Sequence, residues 1–367
     1  MEEINLEQMR QLVLIAVFGV GFLFGAISQK SHFCTMGAVS DIVNFGDWGR
    51  MRMWVLAIAV AALGLQTLIY LGKANVNDTI FVAGSWSWLS ATLGGLLFGV
   101  GMVLASGCGS KTLIRLGTGN LKALFVFVVL GLTAYMTLKG VFGVFRANYL
   151  DPFKIELGAS SYLPQLLDNE KGTLSTAIMF GIPLALLAWV FAKKSAWSRD
   201  VLLGGLGVGL CVVASWWAVF QLGFLPEHPE TLEAAYMGSY NNRAEGMSFV
   251  APYAYTLEWL MFYSDVTRVL TVGVVSCLGV IAGSLITSII TREFRWEAFN
   301  GVEDMANHTV GAALMGIGGV MALGCTVGQG LSGVSTLSLT SWITLTFIVL
   351  GAIAALKYQV WRVERMA

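Results

Sequence analysis

Five cysteines, Cys34, Cys108, Cys211, Cys277 and Cys325, carry most of the chemistry this chain can offer. No two form a Cys-x-x-Cys pair, and an odd number cannot make a complete disulfide framework. The three histidines are far apart, so no zinc or other metal spacing is present and no metal or cofactor is expected. Cys211 and Cys277 lie inside long apolar runs, where a thiol behaves as a small hydrophobe. The other three sit at breaks rich in glycine and polar residues. A neutral thiol is a weak S–H donor and a soft, polarizable acceptor. Three of them along one path suit a soft anion with an exposed sulfur better than a hydrated halide or sulfate. Conduction needs sites that hold weakly and in series. A thiolate would repel an anion, so neutral thiols are expected. The competing reading of each cysteine is inert packing.

The elements that must position these thiols follow from composition. The chain has 367 residues, zero formal net charge, 56% hydrophobic residues and 12% charged ones. A soluble domain carries about 25% charged residues. The 22 basic residues are balanced by 22 acidic ones, which removes the electrostatic footprint of a nucleic-acid binder. Its 43 glycines sit within apolar runs, as close helix packing in lipid requires. The fold class is therefore an all-α polytopic membrane protein, a single domain over 1–367 embedded in the bilayer. Nine apolar runs are expected to span: 12–28, 53–71, 89–107, 121–145, 174–192, 201–224, 267–290, 309–324 and 339–356.

Basic residues orient the spans. With the C-terminus inside, fourteen of the 22 lie on inner segments. Seven lie outside (Arg10, Lys73, Arg146, Lys154, Lys171, Arg243 and Arg268), and Lys139 falls within a span. The expectation is an N-terminus in the periplasm and a C-terminus in the cytoplasm. Two polar connections, 146–173 and 225–266, then fall outside the membrane, the second carrying Pro226, Pro229 and Pro252. It is either a lid or a long loop.

An internal repeat ties the cysteines to this layout. Gly94-Gly-Leu-Leu-Phe-Gly-Val-Gly-Met-Val-Leu-Ala-Ser-Gly-Cys108 matches Gly311-Ala-Ala-Leu-Met-Gly-Ile-Gly-Gly-Val-Met-Ala-Leu-Gly-Cys325 at eight of fifteen positions without a gap. The copies are five spans apart, so they run in opposite directions, the inverted-repeat pattern of many transporters. The halves are expected at about 1–173 and about 174–367. After each Gly-Cys the apolar run breaks. The break is either a re-entrant or broken helix, whose free N–H groups favour an anion, or a surface loop with a glycine cap.

Charged and amide residues near the breaks extend the list. Lys111 and Arg115 follow Cys108 on the inner face, where they either attract an anion or anchor the inner surface. Gln329 either donates to substrate oxygens or packs. Lys139 either snorkels outward or draws an anion inward.

These residues resemble a known family. Phe33-Cys-Thr-Met-Gly-Ala-Val-Ser-Asp41, Gly107-Cys-Gly-Ser-Lys-Thr-Leu-Ile-Arg-Leu-Gly-Thr-Gly119, Arg292-Glu-Phe-Arg295 and Gly324-Cys-Thr-Val-Gly-Gln-Gly330 together look like the YeeE/YedE family of sulfur-compound transporters. The second motif departs from the family's frequent Gly-Cys-Ala-x-Gly-Thr by carrying Lys111. The resemblance implies nine spanning helices plus short re-entrant ones in two pseudo-symmetric halves. It implies uptake of thiosulfate across the bacterial inner membrane, with Cys34, Cys108 and Cys325 as successive contacts and no catalytic residue. It also implies a small cytoplasmic TusA-like sulfurtransferase as partner. The alternatives are a transporter of another sulfur or selenium species, an intramembrane thiol oxidoreductase or sulfurtransferase, and a structural subunit that recruits a partner through residues 111–122.

Overall fold

The computed structural model describes residues 6–158, 160–167, 172–227, 232–265 and 270–366. Lys171, Pro229 and Arg268, used above to place the connections, lie outside them. In chain order the α-helices are α1 (Leu6–Lys30), α2 (Thr35–Phe45), α3 (Gly49–Tyr70), α4 (Trp88–Leu104), α5 (Gly109–Gly117), α6 (Leu121–Leu138) and α7 (Val141–Phe145). They continue with α8 (Leu163–Leu167), α9 (Thr173–Phe191), α10 (Arg199–Trp217), α11 (Ala251–Met261), α12 (Val272–Ile290), α13 (Val302–Met321) and α14 (Leu339–Met366). Strand structure is confined, among the described residues, to two two-stranded ladders and isolated bridges in the connections. The protein is an all-α polytopic membrane protein.

Each expected span falls on a long helix, and eight stretches are apolar enough to cross a bilayer by length and composition. The remaining run lies in α13, whose first turns carry Glu303, Asp304 and His308. Boundaries shift by several residues at a number of spans, and one shift relocates a charge. The fourth span was expected to reach residue 145, but α6 stops at Leu138, with Lys139 as its C-cap and Gly140 opening α7. Lys139 is thus at a helix end, where its ammonium bonds the Glu258 carboxylate at 3.0 Å and the Tyr240 hydroxyl. It is engaged by protein groups.

The repeated helices α4 and α13 pack directly on one another. A Cβ on Gly101 would meet the Gly311 carbonyl at 2.6 Å, and one on Gly318 would meet the Gly94 carbonyl at 2.6 Å. The reverse contacts hold as well: Gly311 onto Gly101 at 2.7 Å, and Gly94 onto Gly318 at 2.7 Å. The helices are therefore antiparallel, and equivalent glycines exchange places across the contact. The same reciprocity recurs further out. α4 packs on α14 as α13 packs on α6, and α1 packs on α12 as α10 packs on α3. In the α1–α12 pair, Gly279 seats on the Phe18 carbonyl and Gly283 on that of Phe22. In α10, Gly205 seats on Leu56 and Gly209 on the Ala57 carbonyl of α3. Both of these Gly-x3-Gly pairs pack within the chain, where small residues let backbones approach. Helix α9 stands apart from this pairing, against α3.

The long connection before α12 departs from expectation. Ala244, Met247, Phe249, Val250, Tyr253 and Ala254 are all buried in the protein core. Part of 225–266 is thus a wedge between helices and not a free outer loop. Its apolar side chains explain why: burial of Met247, Phe249 and Val250 contributes about 1.5–3 kcal/mol each.

Candidate functional site

The three break cysteines each stand at the start of a helical element. Cys34 caps α2, its Sγ accepting the Gly37 N–H at 3.4 Å. Cys325 does the same for the turn that leads into the π-helix Gly328–Gly333, its Sγ accepting the Gly328 N–H at 3.3 Å. Both lie in Cys-Thr-x-Gly, as Cys34-Thr-Met-Gly37 and Cys325-Thr-Val-Gly328. In each, the sulfur takes the place of a capping oxygen for an otherwise unpaired helix amide. Cys108 is the N-cap of α5 in extended conformation, with its Sγ 3.3 Å from Ser110 Oγ. A thiol that accepts an amide keeps its own S–H as a donor. Helix N-termini carry partial positive charge, so all three sites are hospitable to an anion.

The breaks are helical and buried, so the surface-loop reading fails. Every residue from 324 to 338 is buried. Such backbone survives at membrane depth only when protein supplies its partners. Here Gln66 Nε2 donates to the Ser335 carbonyl at 2.9 Å, Trp216 Nε1 to Ser335 Oγ at 3.1 Å and Ser338 Oγ to the Phe81 carbonyl at 2.9 Å. Two side-chain atoms beside Cys325 are left over: Thr326 Oγ1 and Gln329 Oε1 are buried and bond no group among the described residues. Gln329 Nε2 donates to the Ala322 carbonyl at 2.6 Å, so its unpaired atom is an acceptor.

Cys108 lies within electrostatic range of both Cys34 and Cys325. The wedge fills the space between. The Phe249 backbone lies beside Cys325, and a Cβ on Gly109 would meet the Phe249 carbonyl at 2.8 Å. Tyr253 donates to the Gly109 carbonyl at 2.6 Å and faces Cys108, Cys277 and Cys325. Cys277, read from the sequence as packing, therefore borders the same place, while Cys211 lies buried in α10. All five cysteines are free thiols, and no group of three or more His, Cys, Asp or Glu among the described residues could hold a metal.

Two cavities flank the thiols. Next to the residue preceding Cys325, a cavity of about 150 Å³ is lined by Gly324, Leu323, Asn241, Glu245, Ser248 and Tyr255. Beyond Cys108, a polar cavity of about 170 Å³ is lined by Ser106, Thr112, Arg115, Asn120, Lys122 and His308, with Glu297 and Asp304. The Lys122 ammonium is committed to Asp304 at 2.8 Å and Asn120 Nδ2 to Glu297 at 2.5 Å. Lys111 and Arg115 stand together beside Cys34, with Arg50, itself paired with Asp41, in range of Lys111. The predicted residues Cys34, Cys108, Lys111 and Arg115 thus converge, and Cys325 with Gln329 joins them through Phe249. Sequence reading missed Phe249, Tyr253 and Glu245. The signal was there as an apolar run, Phe249-Val-Ala-Pro-Tyr-Ala-Tyr255, inside a connection read as polar.

The pattern of the sulphur transport family matches residues 30–354, nearly the whole chain. The chain belongs to the sulphur transport (YeeE/YedE) family. Among relatives in this family, it is 27% identical to the "Thiosulfate transporter TsuA" of Spirochaeta thermophila over 341 residues, covering 90% of this chain and 94% of that one. It is 27% identical to the protein of the same name in Escherichia coli K12 over 354 residues, 95% of each chain. A shorter stretch of 110 residues, 30% of this chain and 25% of the relative, is 33% identical to the E. coli "Probable transporter YedE". As a member of this family the protein is a membrane transporter and not an enzyme.

Proposed function

We propose that the protein carries thiosulfate, or a closely related sulfur anion, inward across the bacterial inner membrane past Cys325, Cys108 and Cys34 in turn. The observation that carries this reading is the chain of three free thiols at helix N-termini, each in range of the next, between a cavity at Gly324 and the Lys111–Arg115 cluster. The two relatives matched along nearly their full length are named for the same substrate. The reciprocal packing of α4 on α13 supports two inverted halves, with α9 as the connector between them. The bias of basic residues supports a periplasmic N-terminus and a cytoplasmic C-terminus. On that side a TusA-like sulfurtransferase would collect the anion, near the exposed Lys357 and Arg362 of α14.

Uptake of labelled thiosulfate into membrane vesicles tests the reading, with sulfite, sulfate and selenite as competitors. Thiosulfate accumulation that sulfate competes for weakly is expected. Vesicles that exclude thiosulfate as well as empty ones do would end it.

Arg115 and Lys122 give a finer prediction. Removing a charge that contacts the anion costs about 1–2 kcal/mol, or about tenfold in affinity. Arg115→Gln is expected to raise the half-saturating concentration by about that factor. Lys122→Gln, whose charge is already spent on Asp304, is expected to change it less than about twofold. Equal effects of the two in an uptake titration would remove Arg115 from the path.

A further inference from the structure

We propose that Glu245 is a proton-operated element of the outer vestibule: as a neutral carboxyl it donates its O–H to an oxygen of the incoming sulfur anion, and as a carboxylate it turns the anion away. This inference rests on the transport reading above and adds a determinant of when the substrate is admitted.

The geometry places the carboxyl where it must matter. Glu245 lines the cavity that ends at Gly324, one residue before Cys325, and it shares that cavity with Ser248, Asn241 and Tyr255. Ser248 in turn abuts Gly328, whose amide is bound to Cys325 Sγ. At about 150 Å³ the cavity has room for one small anion and little water beside it. A carboxylate and an anion held there together would repel strongly, because little water is present to screen them.

Among the described residues no cation is committed to Glu245. On its own loop, Tyr240 reaches it through its backbone N–H at 3.2 Å, and Asn241 offers a second amide. The Arg243 guanidinium bonds the carbonyls of Asn77 and Val82 instead. Lys139, at the end of α6, serves the Glu258 carboxylate and the Tyr240 hydroxyl. Tyr255, on α11, stacks on Tyr240 with ring centroids 4.0 Å apart, and Glu258 of the same helix and Glu245 both add negative charge around it. Asp78, under the bridge to Ala244, accepts from the Tyr236 hydroxyl at 2.8 Å. Burial pushes the Glu245 carboxyl up to about 7, against the pull of the two amides. Its charge therefore changes near neutral pH.

The test is thiosulfate uptake into right-side-out vesicles at fixed internal pH and varied external pH. For the wild type, uptake is expected to fall about tenfold from pH 6 to pH 8, as a single carboxyl titrating near neutrality requires. Glu245→Gln is expected to bring the ratio of the two rates to about one, and Glu245→Asp to keep the dependence with its midpoint moved. A wild-type profile that is flat, or one that Glu245→Gln leaves unchanged, overturns the proposal. So does a Glu245→Gln protein that folds but transports at no pH, since the amide keeps a donor at that place. If Glu245→Gln does not fold, the Glu245→Asp midpoint decides, and an unmoved midpoint overturns the proposal. Wild-type vesicles that take up no sulfur anion at any pH overturn the transport reading itself, a result distinct from pH-independent uptake.

Discussion

Cys325→Ala is expected to lower thiosulfate uptake by about a hundredfold or more, and Cys211→Ala to leave it within about twofold, the difference corresponding to roughly 2–3 kcal/mol. Cys325 Sγ accepts the N–H of Gly328, lies beside the Phe249 backbone and adjoins the unpaired Thr326 Oγ1. Alanine removes the soft contact for the substrate and strands the buried Gly328 amide, which costs about 1–3 kcal/mol. Part of the loss could then come from local unfolding, and Cys325→Ser separates the causes. Serine keeps an acceptor for the Gly328 amide, so the segment stays folded, but its hard oxygen prefers water and strong donors to sulfur. Uptake by the serine variant should stay at least about tenfold below the wild type, a gap of about 1.4 kcal/mol. Serine transporting at the wild-type rate would mean that the thiol has no part in passage. Cys108→Ser should behave likewise, because Cys108 is in range of both Cys34 and Cys325.

A second large effect is expected on stability. An alanine Cβ at Gly318 would lie 2.5 Å from the Phe98 nitrogen and 2.6 Å from the Gly94 carbonyl, both backbone atoms that cannot swing aside. At Gly101 it would lie 2.6 Å from the Gly311 carbonyl. Each substitution must push α4 and α13 apart, at a cost of about 3 kcal/mol for overpacking of this kind. Gly19 of α1 supplies the control, since a Cβ there meets nothing within 4 Å. Gly19→Ala should be neutral or gain up to about 1 kcal/mol from helix propensity. Thermal unfolding in detergent should rank Gly19→Ala at or above the wild type and both contact variants well below it. Contact variants that melt with the wild type would contradict the tight antiparallel packing.

Eight of the expected spans were legible because a bilayer imposes one rule of length and apolarity, and the ninth, in α13, is weakened by the acids of its first turns. One boundary is instructive. The run 121–145 reads as one span because Val141, Phe142, Val144 and Phe145 are apolar, yet Lys139-Gly140 ends α6 where Lys139 meets Glu258, 119 residues away. No local pattern contains that partner. The three break cysteines were also legible, two by the repeat and one by its polar surroundings, and Cys-Thr-x-Gly at Cys34 and Cys325 was a further signal left unread. What the sequence hid was the wedge. Glu245, Phe249 and Tyr253 sit in a connection whose acids and prolines say loop, and only contacts with Cys325, Gly109 and Gly324 draw it into the core. Cys277 was hidden for the opposite reason: its helix is apolar throughout, and its nearness to Cys325 is tertiary.

The four glycines where α4 crosses α13 leave no clearance at the centre of the molecule. Two rigid bodies seated backbone to backbone along that line cannot slide past each other without steric collision. A rocker that exposes its cargo first to one face and then to the other would have to pry this seam open on every cycle. The parts free to yield are smaller: the Phe249 ring, the Glu245 side chain and the wedge that holds them. An opening made by these parts leaves the α4–α13 seam closed while the anion passes.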